Sequence, residues 1–272
     1  MSSTVIDASH AACTPTECYT PALSLSGEQR GSWATAGFLH IPSFLSPEEL
    51  GRAHAAVSTL LSSLDRVPPG HKFFERRNDS STLKQVLALH MHSEALLHLG
   101  REGPPAALAA ALLGEEPVLQ NMQYFSKPPN SGVLPTPPHQ DSAYFLLADP
   151  SAAITLWLAL DPVDGENGGV SYVPGSHLGG LLPHVPTGVL GFSRGLADPS
   201  LARGALVQVA APGDLLVHHG LCIHCAGANT SATRQRRALG FIYSRKNASV
   251  DELAKAAYTE KLLASLADQG RV

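Results

Sequence analysis

The rhythm of apolar and polar positions changes once along this chain, near residue 117. Upstream, apolar residues recur mostly at helical spacing; downstream, short apolar runs alternate with turn residues. Residues 33–45, WATAGFLHIPSFL, are interrupted by Gly37 and Pro42 and predict a short strand. Ser46-Pro47-Glu48-Glu49 combines an N-cap serine, proline at the first helical position and glutamate at the third, so a helix is expected to about residue 64. Residues 67–82 break the periodicity and read as a loop carrying at most a short strand, and helical stretches follow over about 83–99 and 104–113. The runs VLQNMQYFS, HQDSAYFLL, AITLWLALD, GVSYVPG, ALVQVAA, DLLVHH, CIHCAG and RALGFIYSR come next, separated by turn signals such as KPPNSG, GENGG and APGD. Many short strands punctuated this way predict a sandwich or barrel. A last helix, about 250–268, opens on a capping box from Ser249 to Glu252. With no internal repeat, the expected organisation is a flexible leader over 1–25 and one domain over 26–272, helices first and then a β core of about 117–245.

Composition narrows the partners. Hydrophobic residues make up 44% of the 272 and charged ones 15%, which is globular rather than disordered. A net charge of −4 without a basic block argues against nucleic acid and against an anionic membrane surface. No apolar run approaches the roughly 20 residues that cross a bilayer. The N-terminal residues lack a basic region followed by an apolar one, and Gly270-Arg271-Val272 matches no peroxisomal or retention tail. The expectation is a cytoplasmic protein acting on a small molecule. Cys222 and Cys225 spell C-x-x-C, but on a strand they would face opposite sides, and Cys13 and Cys18 lie in the leader. Reduced, structural thiols are therefore expected.

His139-Gln140-Asp141 carries the chemistry. On an extended segment, positions i and i+2 share a face. A further imidazole from a distant segment would complete two histidines and one carboxylate on a metal, the set used by non-haem Fe(II) oxygenases. His218, His219 and His224 compete for that third place. The residues after His224 favour it: Asn229 lies in a turn, and Arg236-Arg237-Ala238-Leu239-Gly240-Phe241 begins a strand. An arginine on a strand beside the ligand strand suits the distal carboxylate of a keto acid, held as a bidentate pair.

From Gln123 to Arg236 the chain resembles the phytanoyl-CoA dioxygenase family of Fe(II)- and 2-oxoglutarate-dependent oxygenases, and more loosely the ectoine hydroxylases. The matching segments, in the family's order, are Lys127-Pro128-Pro129-x-Ser131-Gly132, Pro138-His139-Gln140-Asp141, Thr155-Leu156-Trp157, Glu166-Asn167-Gly168-Gly169, Pro174-Gly175-Ser176-His177, Gly213-Asp214 and His224-x4-Asn229-x-Ser231 before Arg236-Arg237-Ala238. The resemblance implies a double-stranded β-helix, a cupin-like jelly-roll, with N-terminal helices packed on one sheet. It implies Fe(II) as cofactor, 2-oxoglutarate and O2 as co-substrates, and succinate and CO2 as released products. His139, Asp141 and His224 match the iron ligands, Arg236 the anchor of the far 2-oxoglutarate carboxylate, Trp157 an aromatic flanking it, and Gln123 a co-substrate contact. Two departures stand out. The stretch from His224 to the arginine pair is one residue longer than usual, which leaves Arg234 and Arg237 as alternative anchors. Ala226 occupies a position where a serine often supplies a hydroxyl to the co-substrate. Related halogenases lack the carboxylate that Asp141 supplies, so the resemblance favours hydroxylation, while desaturation, epoxidation and ring closure use the same ligands.

Other tempting residues have plainer readings. His177 is expected to cap a turn, His90, His92 and His98 to share a helix without a compact metal face, and Glu115-Glu116, Asp161 and Asp164 to be solvated turn acids. Trp157, by its own surroundings, is core. Gln123, Phe125, Tyr144 and the loops 67–82 and 179–203 are expected to line the substrate pocket, with Lys72, Arg76 and Arg77 forming a solvated basic loop. A non-catalytic binding or sensing module on the same scaffold is the alternative function.

Overall fold

The computed structural model describes residues 24–260, apart from 77–78, 133, 255 and 258–259. Among the described residues, α-helices include Gly27–Ala36 (α1), Pro47–Leu61 (α2), Glu94–Glu102 (α3), Pro104–Leu113 (α4) and the single turn Ser142–Phe145 (α5). Strands run over Phe38–Ile41 (β1), Lys72–Phe74 (β2), Leu83–Val86 (β3), Pro117–Lys127 (β4), Thr136–His139 (β5), Ala153–Ala159 (β6) and Val170–Tyr172 (β7). They continue with His184–Val189 (β8), Phe192–Leu196 (β9), Leu206–Val207 (β10), Leu215–His219 (β11), His224–Ala226 (β12) and Arg236–Arg245 (β13).

Capping chemistry sets several helix starts. At α2, Ser46 and Glu49 satisfy each other's backbone as the sequence predicts. Ser26 and Gln29 do the same at α1, a helix the sequence reading missed because it buries no side chain and shows no apolar stripe. The expected leader reaches into the fold at its end, since Leu25 is buried in the core. The rest of it up to residue 23 lies outside the described residues, as does most of the expected C-terminal helix. At that helix's start the cap is Asp251, whose carboxylate accepts from Ala254 N, rather than Ser249.

The helix expected over 83–99 divides. Leu83–Val86 is a fully buried strand between β2 and β4, and the helix begins only after the N-cap Ser93. Leucine, lysine and glutamine are good helix formers, but pairing on both edges overrides that preference. His90 therefore sits in a 3-10 turn and His92 just after it, so only His98 lies on α3.

Seven strands form an antiparallel sheet in the order β1-β11-β6-β13-β4-β3-β2, and four form a second one, β10-β7-β12-β5. β8 and β9 make a separate hairpin, in a stretch expected to be irregular loop. The alternation of side chains explains the layers. Ile154, Leu156 and Leu158 of β6, with Leu239, Phe241 and Tyr243 of β13, join Ala53, Val57, Leu60, Leu96 and Leu108 of the helices in one core. The intervening positions, Trp157, Ala159, Leu216 and Ala238, form a second core with Val170, Tyr172 and Cys222. The result is the expected jelly-roll, with the N-terminal helices on the outer face of the larger sheet. Among the described residues no helix is long and apolar enough to cross a membrane.

Candidate metal centre and co-substrate pocket

His139 ends β5 and His224 begins β12; the two strands are paired so that the histidines lie directly opposite each other. Asp141 arrives differently from the expectation of a shared strand face. β5 stops at His139, and Asp141 has helical backbone angles (φ −62°, ψ −32°) immediately before α5. The turn is fixed by Gln140, fully buried, whose amide donates to Gly180 O and Leu221 O and accepts from Leu182 N. Chain reversal, rather than the pleat, brings the carboxylate back to the histidines.

One nitrogen or oxygen from each of His139, Asp141 and His224 lies within 4.8 Å of the others. Asp141 Oδ1 is 3.4 Å from His139 Nε2 and 3.6 Å from His224 Nε2. Backbone carbonyls fix both imidazoles: Nδ1 of His139 donates to Pro137 O at 2.8 Å, and Nδ1 of His224 to Cys222 O at 3.0 Å. Each Nε2 is left as a lone pair facing Asp141, the arrangement a metal ligand requires. Burial, with the neighbouring imidazoles of His139 and His218, holds His224 well below the usual histidine range. Burial works against the Asp141 carboxylate, but His224, His139 and His218 hold its carboxyl well below the usual range. The Nε2 atoms of two imidazoles and an ionised carboxylate thus face one another, and this set fits Fe(II).

The competing histidines separate. His219 turns away, its Nδ1 accepting from Leu221 N, and burial lowers its pKa to about 4. His218 reaches the site from β11 and packs beside His224, but it meets Asp141 at Oδ2, 3.0 Å away, and not at the Oδ1 that faces His139 and His224. His177 packs against Gly37 and His219 instead.

The larger sheet supplies the second half of the site. Arg236 is buried at 3% exposure, its guanidinium carbon is 5.5 Å from the centre of the Trp157 ring, and its Nε has no hydrogen-bond partner. Burial lowers its pKa to about 10, so it remains a cation at neutral pH. The alternative anchors are engaged elsewhere. Arg234 is paired with Asp164 and Glu166 at the surface, and Arg237 forms a two-pronged pair with Asp161. Asp161 is accordingly a buried acid and not the solvated one expected. Gln123 lies on the cavity wall and accepts from Gln85 Nε2 at 2.9 Å. Sequence reasoning passed over Gln85, because its segment was read as helix. It quoted Thr155 in a matching segment but gave no role to this residue, which donates to Asp141 Oδ2 at 2.6 Å. Position i−2 from Trp157 on a strand was the available signal.

These residues line one cavity of about 580 Å³, in the range of small-molecule sites. Its floor holds His139, Asp141, His224 and Arg236, and its walls include Phe73, Phe125, Phe145, Leu190 and Phe192. Phe192, from the β8–β9 hairpin, stacks on Phe125 and lies 5.6 Å from the His139 ring. Gly240 makes room for that wall, since a Cβ there would come within 2.8 Å of the Phe125 ring. Tyr144 lines the cavity as expected and ties the hairpin down, its hydroxyl donating to Arg194 O and accepting from Arg194 N. The basic loop is occupied locally: Lys72 donates to Leu64 O, and Arg76 to Asp79 and Ser131 O, while Arg77 lies outside the described residues. Cys222 and Cys225 are free thiols.

Comparison with known proteins gives one consistent picture. The phytanoyl-CoA dioxygenase (PhyH) family profile matches residues 33–238. A Stutzerimonas stutzeri protein described as a probable alpha-ketoglutarate-dependent hypophosphite dioxygenase is 30% identical over 218 residues, 77% of this chain and 75% of that one. Among solved structures, the non-haem alpha-ketoglutarate-dependent carbocyclase SnoK of nogalamycin biosynthesis aligns with TM-score 0.69 at 26% identity, covering 84% of this chain and 87% of its own. The epimerase SnoN, solved with Fe3+, alpha-ketoglutarate and nogalamycin RO, aligns with TM-score 0.64 at 25% identity, covering 81% and 83%.

Proposed function

This chain belongs to the phytanoyl-CoA dioxygenase family, and we propose that within it the protein hydroxylates a C–H bond of an uncharged, largely apolar small molecule in secondary metabolism. Its cofactor is Fe(II) and its co-substrates are 2-oxoglutarate and O2. In this proposal His139 and His224 hold the iron through Nε2 and Asp141 holds it through Oδ1. Arg236 receives the far carboxylate of 2-oxoglutarate, stacked over Trp157, with Gln123 on the adjoining wall. When bound, iron and 2-oxoglutarate supply the oxidising chemistry, with succinate and CO2 released. The chain contributes the rest. Its apolar walls exclude water, the buried guanidinium selects and orients a dicarboxylate, and the aromatic hairpin covers the reacting face.

The observation that carries the reading is the unpaired, buried Arg236 in the same cavity as the imidazole–carboxylate trio. Among the described residues Arg236 forms no ion pair, Asp161 favouring its charge only at longer range, and the far carboxylate of a keto acid held at the trio would supply that pair. The substrate class follows from the remaining walls. Among the described lining residues outside the trio, His218 and Arg236, none carries a formal charge. An acyl-CoA phosphate or a small inorganic anion such as hypophosphite would find no partner there, whereas apolar rings or chains would be well solvated by Phe73, Phe125 and Phe192. A cytoplasmic location and a single catalytic domain are part of the proposal; the free thiols support the first.

The test is succinate formation from 2-oxoglutarate with O2 uptake in purified, Fe(II)-loaded protein, across a panel of neutral polycyclic and aliphatic compounds, acyl-CoA esters and hypophosphite. A neutral product heavier by one oxygen supports hydroxylation. Ring closure, the second reading, is supported by the likeness to the carbocyclase and would give a product lighter by two hydrogens. Keto-acid binding without any succinate would replace both with a binding or sensing role.

A further inference from the structure

The two oxygens of Asp141 live in different surroundings. Oδ1 faces the Nε2 atoms of His139 and His224. Oδ2 accepts from Thr155 Oγ1 at 2.6 Å and lies 3.0 Å from His218 Nε2. His218 is 2% exposed and its other nitrogen, Nδ1, is 3.0 Å from the hydroxyl of the fully buried Tyr172.

The carboxylate decides the polarity of its bond to His218. An ionised carboxylate oxygen can only accept, so His218 Nε2 must carry the hydrogen. Its Nδ1 lies within hydrogen-bond distance of the Tyr172 hydroxyl, so the ring is gripped at both nitrogens, by Tyr172 at one end and by Asp141 Oδ2 at the other. With Thr155 also donating, Oδ2 has two hydrogen bonds and no lone pair facing the trio, while Oδ1 has none of these donors. The strands enforce the geometry: His218 of β11 stands opposite Thr155 of β6, so both donors rise from neighbouring positions on the same sheet face.

We propose that His218, oriented by Tyr172 and acting with Thr155, is a positioning residue that makes Asp141 a one-oxygen ligand. The inference rests on the reading of His139, Asp141 and His224 as the iron ligands. Held this way, Asp141 would offer a single oxygen to a metal and leave room beside it for the keto acid; freed from these donors, it could turn and offer both. That restraint is also a reason for the chain to bury a third imidazole that does not itself join the trio.

Three variants of the full-length protein test it: His218→Phe, which keeps the ring volume without a donor, His218→Gln, whose amide nitrogen can donate to Oδ2, and Thr155→Val. Metal affinity is read anaerobically without keto acid, by titrating Fe(II) against a chromophoric chelator. The absorption band of the Fe(II)·2-oxoglutarate complex is then recorded, with circular dichroism as the check of folding. His218→Phe should weaken metal binding roughly 10- to 100-fold, the range for lost outer hydrogen bonds, and shift the band. His218→Gln should recover most of both. Thr155→Val should show the same defect in milder form, and it decides the matter if His218→Phe does not fold. Wild-type affinity and an unmoved band in His218→Phe, or in Thr155→Val if that variant must stand in, overturn the inference, as does a His218→Gln variant no better than His218→Phe. If the wild type itself binds no Fe(II) and gives no band, the ligand reading falls and the inference with it. A normal wild-type band with indifferent variants removes only the role of His218.

Discussion

Replacing Arg236 with methionine should make the protein more stable and less able to bind 2-oxoglutarate, two effects that pull in opposite directions. The guanidinium is buried, and its Nε has no partner. Burial lowers its pKa from the ordinary 12.5 to about 10, which corresponds to a penalty of about 3 kcal/mol for carrying the charge into the fold. Because the folded value is the lower one, that penalty is present in full below about pH 10 and disappears only above the ordinary value. Methionine retains most of the aliphatic stem and removes the charge, at the cost of about 1 kcal/mol of cation–π contact with Trp157. The net gain should be about 1–2 kcal/mol, or roughly 2–8 °C in melting temperature for a chain of this size.

The binding side has the reverse sign. Truncating one partner of a buried, hydrogen-bonded charge pair costs about 2–5 kcal/mol, or roughly 30- to several-thousand-fold in 2-oxoglutarate affinity. The assay is an anaerobic titration of the Fe(II)-loaded protein with 2-oxoglutarate, followed by its absorption band, beside thermal unfolding of both proteins without keto acid. Arg236→Lys keeps a charge but not the planar fork and should fall between the two. Arg234→Ala, which breaks only surface pairs with Asp164 and Glu166, should leave the affinity alone. The reasoning is refuted if Arg236→Met binds 2-oxoglutarate within about threefold of wild type, or if it melts below it.

Three further outcomes follow from the same geometry. Lys127 is buried against Ala226 O and Gly227 O, and burial, with Arg236 and Lys84 nearby, lowers its pKa to about 6. Between about pH 6 and its ordinary value of 10.5 the unfolded chain holds the extra proton, so stability should rise with pH by up to about 1.4 kcal/mol per unit. Lys127→Met should lose that slope in urea unfolding between pH 7 and 9; parallel curves for the two proteins would reject the assignment. Gly168 has φ +84°, and a Cβ there would lie 2.7 Å from Gly227 O, a backbone atom that cannot step aside. Gly168→Ala should therefore cost about 1–3 kcal/mol, read as a lowered melting temperature, and a wild-type value would mean the turn is free to adjust. Asp141→Ala should lower coupled succinate formation by at least about 100-fold, beyond what losing one outer hydrogen bond costs; a rate within threefold of wild type would remove Asp141 from the ligand set.

Local chemistry was the legible part of the fold. The box at Ser46 and Glu49 and most of the strand runs after residue 117 announce themselves within a few residues, and the structure follows them; the exception is HQDSAYFLL, where Ser142–Phe145 is a helical turn. Leu83–Val86 does not, because its four residues have no alternation to read and every one is buried. Only the partners on either side, β2 and β4, make it a strand, and those partners lie about 10 and 40 residues away in sequence. The β8–β9 hairpin escaped for a related reason. Pro186 and the glycines at 188, 191 and 195 read as loop, yet the strands hold their place through Tyr144 and the backbone of Arg194.

The site illustrates how residues that do come together can be paired in sequence by an incorrect geometry. A strand face would bring His139 and Asp141 together through the pleat, but β5 ends at His139 and the next two residues turn. What aims Asp141 is Gln140, the residue between them, through bonds to positions 40, 42 and 81 residues away. Such a turn has no local signature, since a glutamine between two ligands reads as a spacer. The same holds for Thr155 and His218, whose bonds to Asp141 Oδ2 span 14 and 77 residues. Arg236, by contrast, was identifiable in sequence as a cation beginning a strand, but its distinction from Arg234 and Arg237 was not. That distinction lies in Asp161, Asp164 and Glu166, which neutralise the two neighbours and leave one arginine for a ligand. The side chains proposed to act on the small molecules are thus readable from type and spacing, while those that aim them are set by tertiary contact.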